Sequence, residues 1–196
     1  MSTQEMNVEQ SQITKLSLTE LNKLDPITVL LEDHAPSKGE ITIKCFGKAW
    51  TAYWGGTGNR TVAEFFIDEN CDYLVNCLGR GTELSKYEPD FDAYLDEMRQ
   101  KVIEMRRESQ ISADLARELY DVTDWSPYVT DNPYEPIINP CSISRDEFDE
   151  LDFGGFDVPE KISHEYAYLR NIVSTVKQGI QIAAKQELKR VINHDI

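Results

Sequence analysis

The stretch from Gly39 to Phe66, GEITIKCFGKAWTAYWGGTGNRTVAEFF, leaves this chain few ways to fold, because it sets a strand pair, a turn and a helix start in one run. Ile41, Ile43 and Cys45 alternate with Glu40, Thr42, Lys44 and Phe46, the period of a half-buried strand. Gly47-Lys48 turns the chain, and Ala49–Trp54 reads as the returning strand, with Trp50, Ala52 and Trp54 on one face. A lone hairpin is marginal in water and needs a third strand or a packed helix, and Ile27–Asp33 reads as the third strand across the turn-rich HAPSKG. Thr61-Val62-Ala63-Glu64 then fits a capping box that opens a helix through Phe66. The fold class expected is α+β: a three-stranded antiparallel sheet packed by helices, with a long C-terminal helix.

Between the last strand and that helix lies Gly55-Gly56-Thr57-Gly58-Asn59-Arg60. A glycine loop before a helix N-terminus invites an anion site. The P-loop pattern fails, since Tyr53 stands where its first Gly belongs and Asn59 precedes the basic residue. Gly56-x-Gly58-x-x-Thr61 imitates a dinucleotide fingerprint but ends in Thr, and its flanking strands read as antiparallel. The loop therefore reads as a strand-to-helix turn. A small nucleotide- or metal-dependent hydrolase using Gly55–Thr61 and nearby acids stays open as an alternative.

Charge is the strongest global signal: 35 acidic against 20 basic side chains, a net −15. It is unevenly placed. Residues 68–97 carry nine acids and two bases, and residues 114–160 carry thirteen and two. Direct nucleic-acid binding needs a basic footprint and is disfavoured; a basic protein partner is favoured, with solubility as the competing explanation for the acids. Cys45, Cys71, Cys77 and Cys141 form no metal-knuckle spacing, so reduced thiols are expected, and no metal or cofactor site. His34, His164 and His194 lie far apart and suggest no triad. No apolar run approaches membrane-spanning length, and the polar start MSTQEMNVEQSQ lacks a secretory core, so a cytoplasmic protein is expected.

In chain order, residues 1–14 read as a disordered tail and 15–196 as a single α+β domain. Ser17-Leu18-Thr19-Glu20 fits a capping box for a short helix through Leu24. Asn70–Leu78 reads as a helix ended by Gly79. Asp90–Glu108 is amphipathic, with Phe91, Tyr94, Leu95, Met98, Val102 and Met105 at helical spacing, and Ala113–Tyr120 follows behind Ser112. An acidic, proline-rich insertion spans about 122–160, with Trp125 and Tyr128 among its prolines. Ser144-Arg145-Asp146-Glu147 fits a third capping box before DEFDELDF. Ser163–Ile192 is the longest helix, with a stripe of Tyr166, Leu169, Ile172, Val173, Val176, Ile180, Ala184, Leu188 and Val191.

The acids of the insertion are the candidate site: Asp146, Glu147, Asp149, Glu150, Asp152 and Asp157, with Asp121 and Asp124 before them. They do not make an EF-hand loop, because Leu151 takes its glycine position and Asp157 its closing Glu. No spacing selects two of them as a catalytic pair. They read either as a solvated face or as a partner-binding surface.

Gly47-x-Ala49-Trp50-x-x-Tyr53-Trp54-Gly55, followed by Thr61-Val62-x-Glu64-Phe65-Phe66 and Asp72-Tyr73-Leu74, resembles the central block of a family of small phage and prophage accessory proteins. LSLTELNKLDPITVLLED and YAYLRNIVSTVKQGI resemble that family's start and its C-terminal helix, so about half the chain is covered; Tyr87–Val158 lies outside. The resemblance implies a phage or prophage origin and brings no activity, cofactor or catalytic residue with it. Joined to the charge, it leads to an expected function: a binding protein that inhibits a host nucleic-acid-binding defence factor, of anti-CRISPR or anti-restriction type, by acidic mimicry of phosphates. A homodimer built on the long C-terminal helix is a further alternative.

Overall fold

The computed structural model describes residues 8, 10–129, 141–151, 153 and 157–194. The chain divides into two compact units, residues 1–85 with 164–196 and residues 86–163.

The first unit is built on an antiparallel sheet of order β1-β2-β3-β4: β1 (Thr14–Leu18), β2 (Ile27–Ala35), β3 (Lys38–Cys45) and β4 (Lys48–Trp54). It has four strands where three were expected. The added strand, β1, covers the start of the segment read as a capped helix. Leu16 and Leu18 alternate with polar neighbours and pair opposite Val29 and Ile27. Leu18 also packs against Gly179, where a Cβ would meet its methyl carbons. Glu20 and Lys23 take positive φ, which no helix through Leu24 permits. Burial of two leucines outweighed a local cap signal.

The β3–β4 turn falls one residue earlier than expected. Phe46 and Gly47 both have positive φ (45° and 74°) and Cys45 faces Lys48, the geometry of a two-residue hairpin loop. Phe46 therefore leaves the strand and is 78% exposed.

One face of the sheet is covered by α1 (Val62–Asp68), α2 (Cys71–Leu78) and a helix from His164 to His194. Ile27, Val29, Ile41 and Ile43 meet Val62, Phe66, Leu74, Val75, Ile172, Val173 and Val176 in one core. Gly39 lies under α1, with Glu32 O and Val62 Cγ2 both where its Cβ would stand. The long helix is buried only through Ile180. Ala184 and Leu188, expected on its inward stripe, are exposed, as are Ile182 and Ile192. Past Ile180 it has run beyond the core, so periodicity alone no longer decides burial.

The second unit is closed at its ends by a short antiparallel pair, β5 (Tyr87–Pro89) with β6 (Glu160–Ile162). Ser163 N donates to Lys86 O at 3.0 Å and Asp90 N to Pro159 O at 2.7 Å. Between them run α3 (Phe91–Arg107), α4 (Ala113–Tyr120), the single turn α5 (Ser126–Val129) and α6 (Arg145–Glu150); the long helix that follows β6 is α7. Tyr94, Met98, Val102 and Met105, spaced three or four apart on α3, are buried as their period requires. The acidic, proline-rich segment falls inside this second unit.

Candidate functional site

The acids of the second unit are presented by an aromatic core beneath them. Trp125, Tyr128, Phe148 and Phe153 are buried together, with Phe148 stacked on Tyr128 at 4.6 Å between ring centroids. Such pairs add directional preference to the area they bury. Because Phe148 points inward, Asp146, Asp149 and Glu150 on the same short helix point out, and all three are exposed. Asp121, Asp124 and Asp157 are exposed as well. Asp152 lies outside the described residues, as does the proline-rich run 130–140.

Several of these acids already have structural work. The expected capping box at Ser144 forms: Glu147 Oε2 accepts from Ser144 N at 2.7 Å and Ser144 Oγ at 2.9 Å. Those bonds hold the Glu147 carboxyl below the usual glutamate range. Asp124 Oδ1 accepts from Ser126 N at 2.8 Å and starts α5. Asp121 is the C-cap of α4 through its backbone N–H, which leaves its carboxylate exposed. Asp121, Asp146, Asp149, Glu150 and Asp157 remain as the exposed anionic group of the set.

Sequence reasoning passed over Glu118. Its carboxylate accepts from Ser142 N and from Ser142 Oγ, tying α4 to the chain before α6. Tyr128 Oη donates to Ile143 O at 2.7 Å. Burial raises the pKa of the Tyr128 phenol, its bond with Cys141 adds to this, and the charges of Glu118 and Glu147 push it further. The same phenol thus feels acids from α4 and α6, which places two charged elements around one aromatic core. Lone acids at helix ends give no warning of this pairing.

The division into units also sorts the charge. Residues 86–163 carry 20 acidic and 8 basic side chains, a net −12; the remainder carries 15 and 12, a net −3. Repulsion among so many like charges costs stability and creates a field that attracts cations and basic surfaces.

The glycine loop is fastened rather than open. Thr57 N donates to Ser37 O at 2.9 Å and Asn59 N to Ser37 Oγ at 2.8 Å. Arg60 Nε donates to Thr57 O at 2.9 Å, and its guanidinium pairs with Asp68 at 3.1 Å over the Phe65 ring. At the start of α1, Val62 N donates to Asp33 Oδ1 at 2.7 Å and Thr61 N to Glu64 Oε2 at 2.8 Å. The chain's own carboxylates stand where an anionic ligand would bind.

All four cysteines are free. Among the described residues no helix is long and apolar enough to cross a membrane.

The fold and surface define a two-unit α+β protein whose second unit is a strongly acidic insertion with its own aromatic core. The chain belongs to a phage protein family: it matches the model Phage_phiTE_072, described as a phage family, over residues 6–181. This bears out the resemblance carried by the Trp50–Gly55 and Thr61–Phe66 motifs and widens it from about half the chain, since Tyr87–Val158, which the motifs left outside, lies within the matched residues. No curated protein and no solved structure matches the chain.

Proposed function

We propose that this phage protein binds and inhibits a basic host protein, a nucleic-acid-binding defence factor of the anti-CRISPR or anti-restriction kind, through the acidic surface of residues 86–163. One observation carries the reading: a net −12 gathered on an inserted unit, against −3 on the rest. Asp146, Asp149 and Glu150 stand out from α6 on a buried aromatic anchor, and Asp157 adds to them. Carboxylates so held occupy a groove that otherwise takes phosphates, and their field speeds encounter with a cationic partner. Glu147 and Asp124 serve the surface indirectly, by capping the helices that present it.

The test is affinity capture from lysate of the natural host, washed at low and high salt, with bound proteins identified by mass spectrometry. A basic nucleic-acid-binding protein retained at low salt and released at high salt is the expected result. The triple variant Asp146→Lys, Asp149→Lys, Glu150→Lys leaves the capping box intact and loses about tenfold or more in affinity for that partner. Unchanged affinity sinks the reading.

The alternative with an enzyme at Gly55–Thr61 predicts that a nucleotide raises the melting temperature. The dimer alternative has exposed Ile182, Leu188 and Ile192 on α7 in its favour, and sedimentation equilibrium separates it from a monomer.

A further inference from the structure

We infer that Glu32, His34 and Glu40 form a binding site for a first-row divalent metal ion, on the sheet face opposite the helices. The site belongs to the first unit and does not depend on the acidic-surface reading.

The three side chains meet for reasons of strand geometry. Glu32 and Glu40 are direct cross-strand partners of β2 and β3. Two like charges directly opposite each other are destabilising unless something positive joins them. His34 lies two residues along β2, on the same face, where the pairing is irregular between Asp33 and Ala35. Its Nδ1 is 3.7 Å from Glu32 Oε1 and its Nε2 is 3.7 Å from Glu40 Oε2. One donor atom from each residue lies within 4.8 Å of the others. Ligand atoms of a tetrahedral site with 2.0–2.1 Å bonds are about 3.3 Å apart, and one imidazole binds an ion through one nitrogen, so rotation of the His34 ring and of the two carboxylates closes the set from within 4.8 Å.

Two groups outside the trio steady it. Ser11 Oγ donates to Glu32 Oε1 at 2.7 Å, the kind of outer bond that orients a ligating carboxylate. The Tyr53 ring lies 6.0 Å from the His34 ring and borders it. The three side chains are 24–39% exposed, which leaves room for water in the remaining coordination positions. One imidazole and two carboxylates suit Zn²⁺ and Mn²⁺, and the order of divalent affinities favours Zn²⁺ of the two.

The experiment is calorimetric titration of the chelator-treated full chain with ZnCl₂, with MnCl₂ as the second probe. One Zn²⁺ per chain is expected, bound more tightly than Mn²⁺. His34→Ala and Glu40→Gln each weaken binding by about tenfold or more. Both positions are part-exposed, and circular dichroism checks that each variant stays folded; Glu40→Gln, nearly isosteric, serves where His34→Ala does not. Co²⁺ substitution shows d–d bands without a thiolate charge-transfer band, which separates this trio from the free cysteines. Absence of saturable binding by the wild type, or full retention of binding in Glu40→Gln, overturns the inference.

Discussion

Asp33 Oδ1 accepts a 2.7 Å hydrogen bond from the backbone N–H of Val62, so a strand carboxylate holds the first turn of the helix that follows the glycine loop. The bond fills a helix N-terminus that bare sequence offers as an anion site. It also sets α1 over Gly39, the residue that pairs opposite Asp33. Asp33→Ala is expected to cost about 1 kcal/mol, the usual loss for a helix-start acceptor, read as a lower urea midpoint with unchanged slope. In the wild type, inorganic phosphate leaves the melting temperature where it is.

Gly39→Ala tests the packing beneath the same helix. The new methyl meets Glu32 O, which is backbone, and Val62 Cγ2. Backbone does not yield as a side-chain tip does, so the substitution costs about 1–3 kcal/mol. Thermal unfolding monitored by circular dichroism reads the loss, and a neutral result would show that α1 is free to lift.

Glu147 gives the acidic unit a pH dependence. Its carboxyl is held below the ordinary glutamate range by bonds from Ser144 N–H and hydroxyl. A lowered native pKa contributes stability that is present above the unfolded value and lost as pH falls through the native one. The α6 cap therefore weakens on acidification below the normal glutamate range. Glu147→Gln keeps an acceptor in the box and flattens that dependence, which unfolding midpoints measured across acid pH will reveal.

Tyr94 behaves oppositely. It is fully buried, its hydroxyl has no hydrogen-bond partner among the described residues, and burial followed by the Glu97 charge raises its pKa to about 12. A raised native pKa gives stability that is full below the unfolded value of 10.0 and lost as pH climbs through about 12. Tyr94→Phe removes an unsatisfied hydroxyl, so it stabilises by up to about 1 kcal/mol and reduces the alkaline loss. Denaturation at neutral and alkaline pH tests both halves.

Where one neighbourhood of the sequence held all the partners of an element, the reading was sound. The Thr61 and Ser144 capping boxes form because cap and acceptor lie three residues apart and need nothing else. The α3 stripe is buried because its period matches the helix. Ser17–Glu20 carried the same kind of local signal and became a strand and a turn, since Leu16 and Leu18 found cross-strand partners and Gly179 lies far along the chain. The tie from Glu118 to Ser142, and the trio of Glu32, His34 and Glu40, were likewise illegible: each depends on a register or a packing that spacing does not encode.

The sequence by itself determined the period of strands and helices, the Thr61 and Ser144 caps, the excess of acids and the phage kinship, all properties of adjacent residues or of composition. Tertiary structure alone decided that the sheet has a fourth strand, that the helix start beyond the glycine loop is held by Asp33, and that the acid-rich segments belong to a unit bounded at residues 86 and 163. The physical reason is the same in each case. Apolar burial and hydrogen-bond satisfaction are met by partners distant in sequence, and once the chain is closed at Tyr87 and Ile162 they override what neighbours alone would choose.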